Sequence, residues 1–166
     1  VWTREIAITG KYLLLPIKNG GSSGFQDPRQ RTMQILDVFV GEMLVHSPNI
    51  YLAHHKDEID WWANLDMSEF VGQTARLRIR LPGRAAAAHM PADSKALELM
   101  ETSNEMRNLL PLYGEPMRPQ FHFSQKRGWN NDPNGMLYHD GQYHLFWQCN
   151  PVGKRGDNKY WGHAVS

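Results

Sequence analysis

The string Trp129-Asn130-Asn131-Asp132-Pro133-Asn134-Gly135 sets a carboxylate among amides, next to a proline and close to an aromatic ring. Pro133 restricts Asp132 to extended conformations, so its carboxylate stands at a fixed point of the backbone. Such a set suits sugar chemistry: apolar sugar faces stack on rings, while hydroxyls need amide and carboxylate partners. Glycoside hydrolysis with retention requires two carboxyl groups about 5–5.5 Å apart, one a nucleophile and the other an acid/base. Taken alone, Asp-Pro-Asn-Gly is also an ordinary turn signal, because Pro pre-sets φ and Asn-Gly tolerates positive φ.

The elements around this string read as a meander. Asn134-Gly135 is expected to reverse the chain into a strand at Met136-Leu137-Tyr138, and Asp140-Gly141 is a second two-residue turn of the hairpin kind. Tyr143, Leu145 and Trp147 then alternate with His144, Phe146 and Gln148, which predicts a strand with aromatic residues on both faces.

With Arg118-Pro119-Gln120-Phe121-His122-Phe123-Ser124 upstream, and Asn150-Pro151 and Trp161-Gly162-His163-Ala164-Val165-Ser166 downstream, residues 118–166 resemble the opening of the catalytic domain of glycoside hydrolase family 32. That family contains invertases, inulinases and levanases. The resemblance implies a five-bladed β-propeller of which this chain carries the first blade, truncated. It implies β-fructosidase activity on levan, inulin or sucrose by retaining double displacement, with fructan or sucrose as substrate and no cofactor. Asp132 matches the nucleophile. Asn131 and Gln148 match positions that hydrogen-bond the bound fructose, and Trp129 matches the motif's leading aromatic. From the residues alone Gln148 is equally a solvent-facing strand residue, Trp129 a wall or core aromatic, and Trp161 a core aromatic of the blade or a substrate contact.

Departures from the family pattern are local. Asn130 stands where Met is usual. Many relatives carry a Trp-Gly-Asn string whose Trp helps line the sugar pocket; here the aligned residues are Gly156-Asp157-Asn158, preceded by Lys154 and Arg155. The family's Arg-Asp-Pro and Glu-Cys motifs, which hold the transition-state stabiliser and the acid/base, do not occur in the chain, and Asp27-Pro28-Arg29 has the wrong order. The resemblance places both motifs after residue 166, so residues 1–166 alone are expected to be inert. A non-catalytic carbohydrate-binding or remnant fragment is the alternative.

Residues 1–115 read as a separate N-terminal module, with the family 32 domain starting at 116. Strands are expected at 6–9, 10–17, 35–40, 43–45, 50–53, 59–63 and 75–81, with a hairpin at Gly41-Glu42, an exposed loop over 18–32 and one helical turn at 66–70. Many short strands and few helices predict a β-sandwich and an all-β chain. Lys11-Tyr12-Leu13-Leu14-Leu15-Pro16, Asp60-Trp61-Trp62 and Leu65-Asp66-Met67-Ser68-Glu69-Phe70 also resemble a module ahead of some levanase-like members. Residues 85–88 and 94–110 have helical composition, with Leu97, Met100, Met106 and Leu109 as an apolar stripe. Pro111, Pro116 and Pro119 mark an extended connection.

Other candidates have plain structural readings. His54-His55 lacks a third or fourth metal partner, and adjacent residues of a strand point to opposite faces; no metal site is expected. Of Trp61-Trp62 one ring should face inward, leaving the other free for a sugar. Arg76, Arg78 and Arg80 alternate with Leu77, Ile79 and Leu81 as the solvated face of a strand. Cys149, the single cysteine, reads as a buried thiol. A net charge of +1 gives no electrostatic signal for nucleic acid or an anionic membrane. No apolar run approaches the ~18 residues of a membrane helix. The resemblance implies a secreted or periplasmic protein, although no signal-peptide pattern is visible, and the sequence leaves the oligomeric state open.

Overall fold

A computed structural model describes residues 1–18, 33–82, 90–107, 113–114, 116–156 and 158–166. The expected loop over 18–32 and the helical stretch at 85–88 lie almost wholly outside the described residues. The chain divides into two compact units, Val1–Leu109 and Leu110–Ser166. The fold is all-β: strand dominates, and the only α-helix among the described residues is the single turn Ala96–Leu99 (α1).

In the first unit β1 (Trp2–Ala7), β7 (Thr74–Arg80), β3 (Gln34–Val40) and β4 (Met43–His46) form one antiparallel sheet in that order, with β5 (Asn49–Ile50) also paired to β3. The second sheet has the order β6 (Trp61–Asp66), β2 (Tyr12–Ile17), β8 (Glu101–Ser103). After β5 the chain leaves the first sheet and bridges to the second through Ile17 and Leu52. Gln34 is buried at this crossover and its Oε1 accepts the Leu52 N–H at 3.1 Å. The alternation in β7 is fully used, since Ala75, Leu77 and Ile79 are buried while the arginines between them are not. Core side chains come from both sheets, with Leu13, Leu15 and Ile17 of β2 and Leu36, Val38, Leu77 and Ile79 of the first sheet at 0–1% exposure. The single turn expected near residue 68 forms as a tight helical turn at Ser68–Phe70.

Two expectations for this unit change. Of the helix predicted over 94–110, whose last three residues lie outside the described ones, residues 94–107 form only α1, and β8 follows it at once, pairing with the edge of β2. Propensity yields here to a free strand edge and to Arg4, whose guanidinium takes the carbonyls of Leu97 and Met100 that another helical turn would need. The arginines of β7 are half-buried and do more than face solvent. Asp37 on β3 is fully buried; Arg78 donates to it from Nε and Nη2 (3.0 and 2.8 Å), Arg80 from Nε (2.8 Å), and Ser47 from Oγ (2.6 Å). Arg76 and Arg78 lie over the Phe39 ring at 4.3 and 4.8 Å.

Of the candidate pairs, His54 Nδ1 meets Ser94 Oγ at 2.7 Å, with burial lowering the His54 pKa, while His55 faces Asp93 at 3.4 Å. Trp61 is buried, and Trp62 is half-buried beneath the Arg107 guanidinium, 4.4 Å from its ring centre.

The second unit is the three-stranded antiparallel meander β9 (Trp129–His139), β10 (Gln142–Asn150), β11 (Tyr160–Val165), in the order β11-β10-β9. Asp140 and Gly141, with φ of 48° and 80°, close β9 onto β10 as a type I′ turn, whose twist matches that of the paired strands. Asn134-Gly135 does not reverse the chain. β9 runs on through it, and the two residues form a bulge, Gly135 supplying a φ of 82°. Trp147 is the anchor of the sheet: it is buried, its Nε1 donates to Gln125 Oε1 at 2.7 Å, and Phe123 tilts against it at 4.5 Å. Arg118 steadies the segment that supplies these contacts by donating to Ser124 Oγ and the Gln125 carbonyl at 2.9 and 3.0 Å.

Two outcomes are expected from this packing. Burial pushes the Asp37 carboxyl up, but hydrogen bonds from Arg80, Ser47 and Arg78 and the Arg80 charge outweigh it and hold the pKa down from 3.8 to about 2. A carboxyl lowered on folding stabilises above its unfolded pKa and loses that contribution as pH falls through the folded value. Asp37→Asn should therefore reduce stability at neutral pH by roughly 2–3 kcal/mol. The difference from the parent in denaturant titrations should shrink between about pH 4 and pH 2. Gly162 pairs with Trp147 and lies against its ring, where a Cβ would fall 2.1 Å from Cε2. Gly162→Ala should cost about 3 kcal/mol or more, read as an early loss of tryptophan fluorescence on heating; a parent-like melting curve would contradict the packing described.

Candidate active site

The site forms where β9 carries more residues than β10 can pair. Asn130 pairs with Cys149 and Pro133 with Trp147, so Asn131 and Asp132 together oppose the single residue Gln148. A second bulge follows at once: Asn134 and Gly135 together oppose Phe146, since the next regular pair after Pro133 with Trp147 is Met136 with Leu145. Bulges of this kind bend a strand and re-aim its side chains. A proline can stand between them because β9 is an edge strand, where a missing N–H leaves little of the ladder unmade.

Asn131 Nδ2 donates to Gln148 Oε1 at 3.2 Å, which fixes which end of each amide faces the other. Asp132 is exposed beside this pair, and its carbonyl accepts Asn134 Nδ2 at 3.0 Å, closing a small loop around Pro133. Gln148 pairs across the sheet with Trp161, which is 69% exposed and so is not a core residue of this unit. Trp129, at the start of β9, is half-buried and pairs with Asn150. The structure thus gathers Asn131, Asp132, Gln148 and Trp161 around one stretch of β10, with Trp129 at the strand's end. Cys149, half-buried between Gln148 and Asn150, has its thiol pKa raised by burial, the wrong direction for a nucleophile.

The face that carries Gln148 continues through stacked rings. Phe146 and His163 lie parallel at 4.5 Å, and His144 Nδ1 meets His163 Nε2 at 2.9 Å. The alternation in β10 pointed to this face, but nothing in the spacing indicated that two histidines would meet on it. Asn150 was also unforeseen as an organising residue. It is 1% exposed, and its carboxamide holds the loop between β10 and β11. Among the described residues no group of three or more metal-ligating side chains occurs, and no helix is long and apolar enough to cross a membrane.

Comparison with known proteins places this segment. The family model described as the glycosyl hydrolases family 32 N-terminal domain matches residues 122–166. An extracellular exo-inulinase of Aspergillus awamori is 57% identical over 54 residues, which are 32% of this chain and 10% of that protein. A levanase of Bacillus subtilis (strain 168) is 54% identical over 54 residues, covering 32% and 8%. A fructan 6-exohydrolase of Triticum aestivum is 48% identical over 56 residues, covering 32% and 9%. The chain therefore spans about a tenth of the length of the curated relatives it matches. A solved structure of a family 32 glycoside hydrolase from Bifidobacterium adolescentis overlays with a TM-score of 0.37 and 20% identity, covering 100% of this chain and 26% of that one, too loosely to bear on the fold. Over residues 122–166 the chain is thus similar to family 32 glycoside hydrolases.

Proposed function

We propose that this chain is the nucleophile-bearing part of a β-fructosidase that cleaves β-fructofuranosidic bonds in levan, inulin or sucrose with retention of configuration. The observation that carries the reading is the bulge that sets Asp132 next to the Asn131–Gln148 amide pair, within the segment that matches the family. The names of the relatives, exo-inulinase, levanase and fructan 6-exohydrolase, support fructan as the substrate class.

In this reading an Asp132 carboxylate oxygen attacks the anomeric carbon of a fructofuranosyl unit, and the glycosidic C–O bond breaks. The leaving oxygen takes a proton from a glutamate acting as the acid. The same glutamate then removes a proton from water, whose oxygen attacks the anomeric carbon and releases Asp132. Splitting one displacement into two lowers the barrier, provided the two carboxyl groups stand about 5–5.5 Å apart. Asn131 and Gln148 hold fructose hydroxyls, and Trp129 and Trp161 offer aromatic surface to the sugar.

Residues 116–166 form the first blade of a five-bladed propeller, a role the meander β9-β10-β11 suits. Residues 1–115 form a β-sandwich module with its linker, supported by two antiparallel sheets that both contribute core. The protein works outside the cytoplasm, as the relative named extracellular does.

Asp132→Asn in the complete protein keeps shape and removes charge. Fructose release should fall by several orders of magnitude with the melting temperature unchanged. Activity within about tenfold of the parent, a barrier change of only ~1.4 kcal/mol, would remove Asp132 as nucleophile. Joint collapse of activity and stability would make it a structural residue.

A further inference from the structure

We propose that Asn150 is a positioning residue for this site, acting through the β10–β11 loop on the Trp129 end of β9. The proposal rests on the reading of Asn131 and Asp132 as the sugar site.

Asn150 ends β10 and is almost fully buried. Its Nδ2 donates to the Arg155 carbonyl at 2.7 Å. Its Oδ1 accepts the Val152 N–H at 3.1 Å and Asn158 Nδ2 at 3.4 Å. One carboxamide therefore pins the loop near its start and near its far end. The loop in turn holds Trp129 twice. The Gly153 carbonyl accepts the Trp129 N–H at 2.9 Å. Gly156 lies flat against the indole, where a Cβ would come within 3.1 Å of Cζ2. Trp129 is two residues from Asn131, and between them the pairing of Asn130 with Cys149 is the last regular contact before the bulge.

The chemistry calls for a carboxamide. The site needs one buried donor for a carbonyl and one acceptor for an N–H. Asp would turn a second acceptor toward the Arg155 carbonyl, and Ala or Leu would take away that carbonyl's donor and leave the buried Val152 N–H without its acceptor. A bulged edge strand with a proline in it has few ladder bonds of its own to set where Asn131 and Asp132 stand. The loop supplies the missing constraint, from the only end of β9 that lies close to the amide pair.

Two variants in the complete protein test this. Asn150→Ala frees the loop. Gly156→Ala leaves Asn150 intact and presses a methyl group on the indole; no positive φ opposes it. For each, kcat and KM on levan, inulin and sucrose are measured per folded molecule, together with hydrogen exchange at individual backbone amides. Displacement of a catalytic group by ~1 Å can cost about 100-fold, so Asn150→Ala should lower kcat by about 10- to 100-fold with KM changed by less than about threefold. Gly156→Ala should lower kcat by a few-fold in the same sense. In Asn150→Ala the Trp129 and Val152 amides should exchange at least about tenfold faster. The Tyr143 and Ser166 amides, which bond each other's residues at the far end of the sheet at 3.0 Å, should keep the parent's protection. Parent-like kcat in both variants overturns the proposal, as does unchanged Trp129 protection in Asn150→Ala. If Asn150→Ala lost protection at all four amides it would be a folding variant, and Gly156→Ala alone would decide. If the parent itself released no fructose from any of the three substrates, the functional reading would fall, and the exchange pattern would still uphold or overturn the coupling of Asn150 to Trp129.

Discussion

The second unit depends on a mismatch of length between paired strands. From Asn130 to Met136, β9 has two more residues than the stretch of β10 from Cys149 to Leu145 that pairs with it, and the excess is taken up as two bulges with Pro133 between them. Everything proposed for the site follows from that mismatch. In regular pairing Asn131 and Asp132 would point to opposite faces of the sheet; in the bulge they share one opposing residue, Gln148, which Asn131 then grips by its side chain. Proline removes the competing ladder bond, and Gly135 accepts the positive φ on the other side.

An irregular edge strand needs a stiff partner, and β10 is that partner. Trp147 stands opposite Pro133, buried against Phe123 and hydrogen-bonded to Gln125, with Gly162 leaving room for its ring. The strand is thus fixed by its most bulky side chain at the point where its neighbour is least regular. Asn150 does the same at the end of the strand through hydrogen bonds in place of bulk. In the first unit the comparable constraint is Asp37, a buried carboxylate that is tolerable only because two arginines and a serine meet it. It fixes the registry of β3 against β7, where Asp37 pairs with Arg78.

The sequence was legible where the cause is local. Asp140-Gly141 and Gly41-Glu42 close hairpins because short-range turn chemistry sets φ there, and the alternation in β7 and β10 marks two faces of a strand. The same local logic misread Asn134-Gly135, because a turn and a bulge make the same demand on φ and only the partner strand decides between them. It misreads 94–107 because the edge of β2 that draws in β8 lies far off in sequence. Alternation alone marks the arginines of β7 as solvated, because Asp37, their partner, is about 40 residues away. Resemblance marks Asn131, Asp132 and Gln148, whereas the role of Asn150 lies in backbone groups that no side-chain pattern records.

The central claim is that the Asp132 carboxylate forms a covalent bond to fructose. The most direct measurement is mass spectrometry of peptides from the complete protein, quenched in acid during turnover of a fructan or sucrose. The account predicts one fructosyl group on the peptide containing Asp132, at that residue, and none in the Asp132→Asn variant. An adduct on a different carboxylate, or turnover with no adduct on any peptide, would contradict it.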